Sequence, residues 1–161
     1  MKKFVILLAS ALLLCLCCSS NRVDDSSCHN MNIETVKDGN PVLWRTNSQH
    51  SDYAFSLDSA EGQGYCLSIK SPNGRKSQFG SWSNTISERF DGRRLTLSGY
   101  IRTEDVQNGY AGLWVRVDPD VSFANMSRNG VKGGSVWKRY ELTVPYSESA
   151  EQIVFGGMLI G

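Results

Sequence analysis

Residues 94–118 read RLTLSGYIRTEDVQNGYAGLWVRVD. Two parts of this stretch alternate strictly. From Arg94 to Arg102, Leu95, Leu97, Gly99 and Ile101 share one side, and Arg94, Thr96, Ser98, Tyr100 and Arg102 share the other. From Tyr110 to Asp118, Ala111, Leu113, Val115 and Val117 form an apolar row opposite Gly112, Trp114, Arg116 and Asp118. Successive side chains of a strand point to opposite faces, so a period of two predicts two half-buried strands. With the aliphatic rows in the core, Tyr100, Arg102, Trp114 and Arg116 are expected to stand together on an outward-facing sheet. Two flat rings and two planar cations on rigid backbone make them the candidate ligand-binding residues.

Working outward, the same grammar repeats. Runs rich in Val, Ile, Tyr, Phe and Trp are separated by Lys37-Asp38-Gly39-Asn40-Pro41, Glu61-Gly62-Gln63-Gly64, Ser71-Pro72-Asn73-Gly74, Phe90-Asp91-Gly92, Asn108-Gly109, Asp118-Pro119-Asp120 and Lys132-Gly133-Gly134. Turn signals about every ten residues are characteristic of an antiparallel sandwich. No window carries a helical period, and no internal repeat is present. Trp82 shares parity with Asn84 and Ile86, which places it in the core.

The N-terminus is built differently. Met1-Lys2-Lys3 is basic, Phe4 to Leu16 is apolar except for Ser10 and Cys15, and Cys17-Cys18 opens a polar run to Asn30. The apolar stretch is too short to cross a bilayer as a helix, which takes roughly 20 residues. It reads as an export leader over residues 1–17, removed before a lipid-modified Cys18 (or Cys17). Residues 18–30 then form a flexible tether, and the folded domain covers residues 31–161. These features predict an exported lipoprotein, held in the membrane by its lipid and facing the cell envelope, at the outer membrane or cell surface.

Net charge is +1, with no Lys/Arg block beyond Arg93-Arg94 and Lys138-Arg139. Such a chain has no field to draw in nucleic acid. Cys28 lies in the polar segment and Cys66 in a strand, which argues against their pairing, and two cysteines without a histidine pair do not make a zinc site. The two histidines, His29 and His50, fall in polar runs. Gly80-Ser81-Trp82-Ser83-Asn84 lacks the second glycine of a nucleophile elbow. Asn73-Gly74-Arg75-Lys76-Ser77 lacks the earlier glycine of a phosphate loop. No catalytic residue is assigned, and the chain as given is expected not to be an enzyme.

Several segments carry a resemblance. Asn30-Met31-Asn32-Ile33-Glu34, Pro41-Val42-Leu43-Trp44, Tyr65-Cys66-Leu67-Ser68-Ile69, Ser98 to Val106, Gly109 to Asp118 and Trp137-Lys138-Arg139-Tyr140-Glu141 together resemble carbohydrate-binding-module-like, galactose-binding-like jelly rolls. They are most similar to those at the front of exported bacterial lipoproteins, N-terminal to tail-specific serine peptidase or erythromycin-esterase-like domains. The resemblance implies an all-β antiparallel jelly-roll sandwich. It also implies a closing strand after Phe155-Gly156-Gly157-Met158-Leu159-Ile160-Gly161, so the domain is expected to lack its C-terminal strand and to leave an open edge for another chain. Calcium is the one ion that the resemblance implies. Glu34 is the only ligand candidate for it, and the acidic partner would lie on the missing strand.

Function follows as an expectation: a non-catalytic, surface-anchored accessory or binding module, with glycan as the ligand class. Rings stack on the apolar faces of sugars, and guanidinium groups bond hydroxyls or carboxylates. The alternatives are a scaffold whose Trp114–Arg116 face docks a catalytic domain, or the N-terminal remnant of a larger exported peptidase or esterase.

Overall fold

The computed structural model describes residues 2–7, 29–49, 51–60, 64–71 and 78–161. Among them are eleven strands and no helix: β1 (Lys2–Leu7), β2 (Val36–Lys37), β3 (Asn40–Pro41), β4 (Arg45–Ser48), β5 (Ala54–Ala60), β6 (Gly64–Ser71), β7 (Phe79–Ile86), β8 (Arg94–Asp118), β9 (Ser122–Asn125), β10 (Val131–Pro145) and β11 (Gln152–Ile160). All pairings are antiparallel. Apart from the β2–β3 hairpin, the strands form one hydrogen-bonded network in the order β4-β7-β11-β8-β1-β6-β5, with β9 and β10 also on β8.

This network folds back on itself as a sandwich. Trp82 on β7 donates its indole N–H to the Ser68 carbonyl on β6 at 3.1 Å. Its ring meets Phe55 of β5 edge-on, with centroids 5.8 Å apart. One layer is therefore β5, β6, β1 and the first half of β8. The other is β4, β7, β11 and the second half of β8. The core between them holds Leu67, Ile69, Trp82, Ile86, Leu95, Leu97, Ile101, Leu113, Val115, Ile153 and Phe155.

β8 joins the two layers. It is a single strand of 25 residues rather than the two neighbouring strands that the alternation suggests. Asp105 and Asn108 have φ of 54° and 59°, in the left-handed region that Asp and Asn tolerate best. Core positions step by five there, from Ile101 to Val106 to Ala111, so the parity changes twice. β10 slips register opposite the same place, between Val131 and Lys138. Bulges and bends of this kind let a strand leave one sheet and enter the other.

The domain starts earlier than residue 31. Asn30 is buried, and its amide nitrogen donates to the carbonyls of Thr35 (2.9 Å) and Val42 (2.8 Å). Its side-chain oxygen accepts from Thr35 N–H at 2.8 Å, and its own carbonyl accepts from the Trp44 indole at 2.8 Å. The His29 carbonyl accepts from Asn84 at 2.7 Å. Residues 29 and 30 thus belong to the sandwich and not to a tether, because one amide side chain satisfies three backbone groups of the first loops. Residues 8–28, which hold most of the expected leader, the cysteines Cys17, Cys18 and Cys28 and most of the expected tether, lie outside the described residues.

Lys2–Leu7, which the sequence pattern places in the leader, runs inside the first layer between β6 and β8. The apolar residues Phe4 to Leu7 suit a leader's apolar region and a doubly flanked strand equally well.

Candidate functional site

The second layer presents its outer face around Trp114. On β8, Trp114 lies opposite Gly156 of β11 on one side and Asn125 of β9 on the other. Gly156 in turn faces Ser83 of β7, and Ser83 faces Arg45 of β4. Arg45, Ser83, Gly156, Trp114 and Asn125 therefore form one row across five strands, about 19 Å wide at the usual strand spacing. The next row holds Thr85, Val154, Arg116 and Phe123. Gly156 is required where it stands, since a Cβ there would run into the Trp82 carbonyl.

Arg116 grips Asp118 with two parallel bonds, Nε to Oδ1 at 2.8 Å and Nη2 to Oδ2 at 2.9 Å. Gln152 of β11 donates to the same carboxylate at 2.9 Å. Phe123 is 59% exposed, the largest aromatic surface offered to solvent here. Arg116, Val117, Asp118, Asp120, Ser122 and Phe123 line a shallow depression of about 230 Å³. The Trp114 indole nitrogen is covered, with no hydrogen-bond partner among the described residues. An indole N–H without a partner costs about 1–3 kcal/mol, a penalty that proteins accept at sites rather than in ordinary surfaces.

The bidentate Arg116 bond, helped by Gln152, holds the Asp118 carboxyl below its ordinary value. A group lowered on folding stabilises the fold above its unfolded pKa, and that contribution is lost as pH falls through the folded value. We therefore expect the Arg116–Asp118 clamp to be formed at neutral pH and to open only in acid, below the ordinary carboxyl value of 3.8. An NMR titration of the Asp118 carboxyl should show a midpoint below 3.8 in the native chain and a higher one in Arg116→Ala. An unchanged midpoint in the variant would mean that the clamp does not control this carboxyl.

Tyr100 and Arg102 do not join this face. Odd-numbered residues of both halves of β8 point into the shared core, so the even-numbered residues of the two halves point out of opposite sides. Tyr100 packs with Ala60, Cys66 and Trp137 on the first layer. Arg102 lies over the Trp137 ring, 5.5 Å from its centroid, and reaches Glu104 at 3.4 Å. The Cys66 thiol is buried there and donates to the Asp58 carbonyl at 3.4 Å. The four candidate residues thus form two separate pairs, not one surface.

Phe123, Asn125 and Gln152 are the additions that the sequence pattern missed. Ser122-Phe123-Ala124-Asn125 does alternate after the Asp118-Pro119-Asp120 turn, which was the available signal for Phe123 and Asn125. Gln152 carries none, because it reaches the site only through β11. Glu34 is exposed and lies against Gly64. Among the described residues no three Asp, Glu, His or Cys side chains converge, so the described side chains do not fit a calcium ion, which takes six to eight oxygens.

No family model matches the chain. An uncharacterized HTH-type transcriptional regulator of Bacillus subtilis (strain 168), YbfP, is 39% identical over 79 residues. The match takes in 47% of this chain and 26% of the regulator. Among solved structures, the enzymatically active domain of the bacteriophage CBA120 tailspike protein 4 is similar over 81% of this chain and 20% of its own. Its TM-score is 0.57 at 12% identity, a likeness of fold. The chain thus spans about a quarter or less of either similar protein.

Proposed function

We propose that this chain is a non-catalytic, surface-anchored β-sandwich binding module that takes an extended glycan on the Trp114 face. It is exported and held by a lipid on Cys18 (or Cys17). The observation that carries the glycan reading is the two-row platform itself. Phe123 and Trp114 offer ring surface for the apolar faces of sugars. Arg116, Asp118, Asn125 and Gln152 offer planar donors and acceptors for hydroxyl groups. A width of about 19 Å across five strands suits a chain of sugars better than a single ring.

The electrostatics favour binding over hydrolysis. A general acid for glycoside cleavage needs a raised pKa, whereas Asp118 is lowered and bound on both oxygens.

Phe123→Ala tests the reading. Its side chain is mostly exposed, so stability should shift by less than about 0.5 kcal/mol. Retention on a polysaccharide array should fall by about tenfold or more, as expected when a stacking ring worth over 1 kcal/mol is lost. Trp114→Ala should abolish retention. An array with no hits, or a native Phe123→Ala protein that binds unchanged, would remove the glycan reading. Weakened association with a downstream catalytic domain instead would assign the face to docking.

A further inference from the structure

β6 and β8 do not pair with each other; Lys2–Leu7 stands between them. The five recorded partners on the β6 side run from Lys2 opposite Ser71 to Ile6 opposite Leu67. On the β8 side they run from Lys3 opposite Glu104 to Leu7 opposite Tyr100. β1 is antiparallel to both, so β6 and β8 run parallel to each other across a gap one strand wide, about 9.6 Å from strand to strand. Without an occupant, two rows of backbone N–H and C=O groups would lose their partners in the middle of a sheet. The flanking residues are deeply buried: Leu67, Ser68 and Ile69 on β6, and Ile101 and Thr103 on β8.

The segment that fills this gap is the one whose composition marks it as a removable leader. From that coincidence we propose that the β6–β8 gap is a strand-acceptor slot, and that Lys2–Leu7 is its donor strand. While the leader is attached it completes the sheet in cis. Once cut, it is held only by main-chain hydrogen bonds and packing, as in other cases of strand addition, and can be exchanged for a free copy of itself. The slot requires an extended segment antiparallel to both neighbours, with an N–H at every interior position. This inference rests on the reading of residues 1–17 as a removable leader and not on the glycan reading, since it concerns the other layer.

The test uses the full chain, produced without export so that the leader stays attached. A protease site placed within residues 20–27 allows it to be nicked after folding. The nicked protein should stay monomeric and keep its N-terminal fragment through gel filtration. Stripped of that fragment in mild denaturant, it should melt more than about 10 °C lower, as loss of a central strand demands. A labelled Lys-Lys-Phe-Val-Ile-Leu-Leu peptide should then bind one to one and restore the melt. The same peptide with proline in place of valine should not, because proline removes a ladder donor.

A second measurement stays informative if the stripped protein does not survive. In the uncut chain, Val5→Pro should speed amide exchange in residues 66–70 and 100–104 at least tenfold, while 153–159 of β11 stays protected. Equal protection in the two proteins would overturn the proposal. So would a stripped protein that melts unchanged and takes up no peptide, or one that dimerises in a way the peptide cannot reverse.

Discussion

Phe155→Ala should cost the domain about 3–5 kcal/mol, the usual loss for removing a phenyl ring from a packed core. Phe155 is fully buried on β11, opposite Val115 of β8 and Asn84 of β7. Its ring meets the Trp44 indole edge-on, with centroids 5.9 Å apart and planes at 82°. It therefore ties the central strand of the second layer to the first loops of the domain. Backbone on both sides of β11 limits collapse into the space left behind. Against a typical net stability of about 5–15 kcal/mol, such a loss brings the fold near its limit. Urea unfolding read by tryptophan fluorescence measures it. A midpoint shift worth less than about 1 kcal/mol would show that Phe155 is not where the layers lock.

Asn30→Ala should cost about 3 kcal/mol, an effect that no tether residue could produce. The substitution deprives Thr35 N–H, the Thr35 carbonyl and the Val42 carbonyl of their partner together. Each partly buried group left without a bond costs about 1–3 kcal/mol, and water reaching this edge of the domain recovers part of the total. Asn30 also has a φ of 49°, which asparagine adopts more readily than alanine. Asn30→Asp keeps the acceptor for Thr35 N–H but turns a carboxylate oxygen toward the Thr35 and Val42 carbonyls. It should destabilise at least as much as Asn30→Ala at neutral pH. A change in melting temperature of less than about 2 °C for Asn30→Ala would return residues 29–30 to the tether.

Taken together with the acid opening of the Arg116–Asp118 clamp, these outcomes separate scaffold from site. Phe155 and Asn30 act on folding and should leave the ligand preference of the folded fraction untouched. Phe123 and Trp114 act on the outer face, where Phe123 can be removed with little consequence for the core.

Much of the fold is legible in the order of residues. Leu95, Leu97, Leu113, Val115 and Val117 alternate with polar neighbours, and this pattern alone assigns strands and their buried sides. Trp82 is core by the same parity, and Pro119 and Gly133 mark real reversals or bulges. Alternation is a local property of the pleat, so it survives in any fold that buries one side of a strand.

What the residues cannot state locally is which pleat faces which. An Asp or Asn in the left-handed region at 105 and 108 serves a hairpin turn or a bend within one strand equally well. Only the pairing of one partner, β10, with both halves of β8, through register slips at this place, makes it a bend, and that bend sends Tyr100 and Arg102 out of one side and Trp114 and Arg116 out of the other. Asn30 lies in a polar run that reads as a tether until its amide meets Val42, twelve residues away. Gln152 reaches Asp118 across 34 residues, and Lys2–Leu7 reaches β6 and β8 across most of the chain. Side-chain alternation is written residue by residue, whereas partners in a sheet are chosen by hydrogen bonds between distant segments, and it is those bonds that build the candidate face and the strand slot.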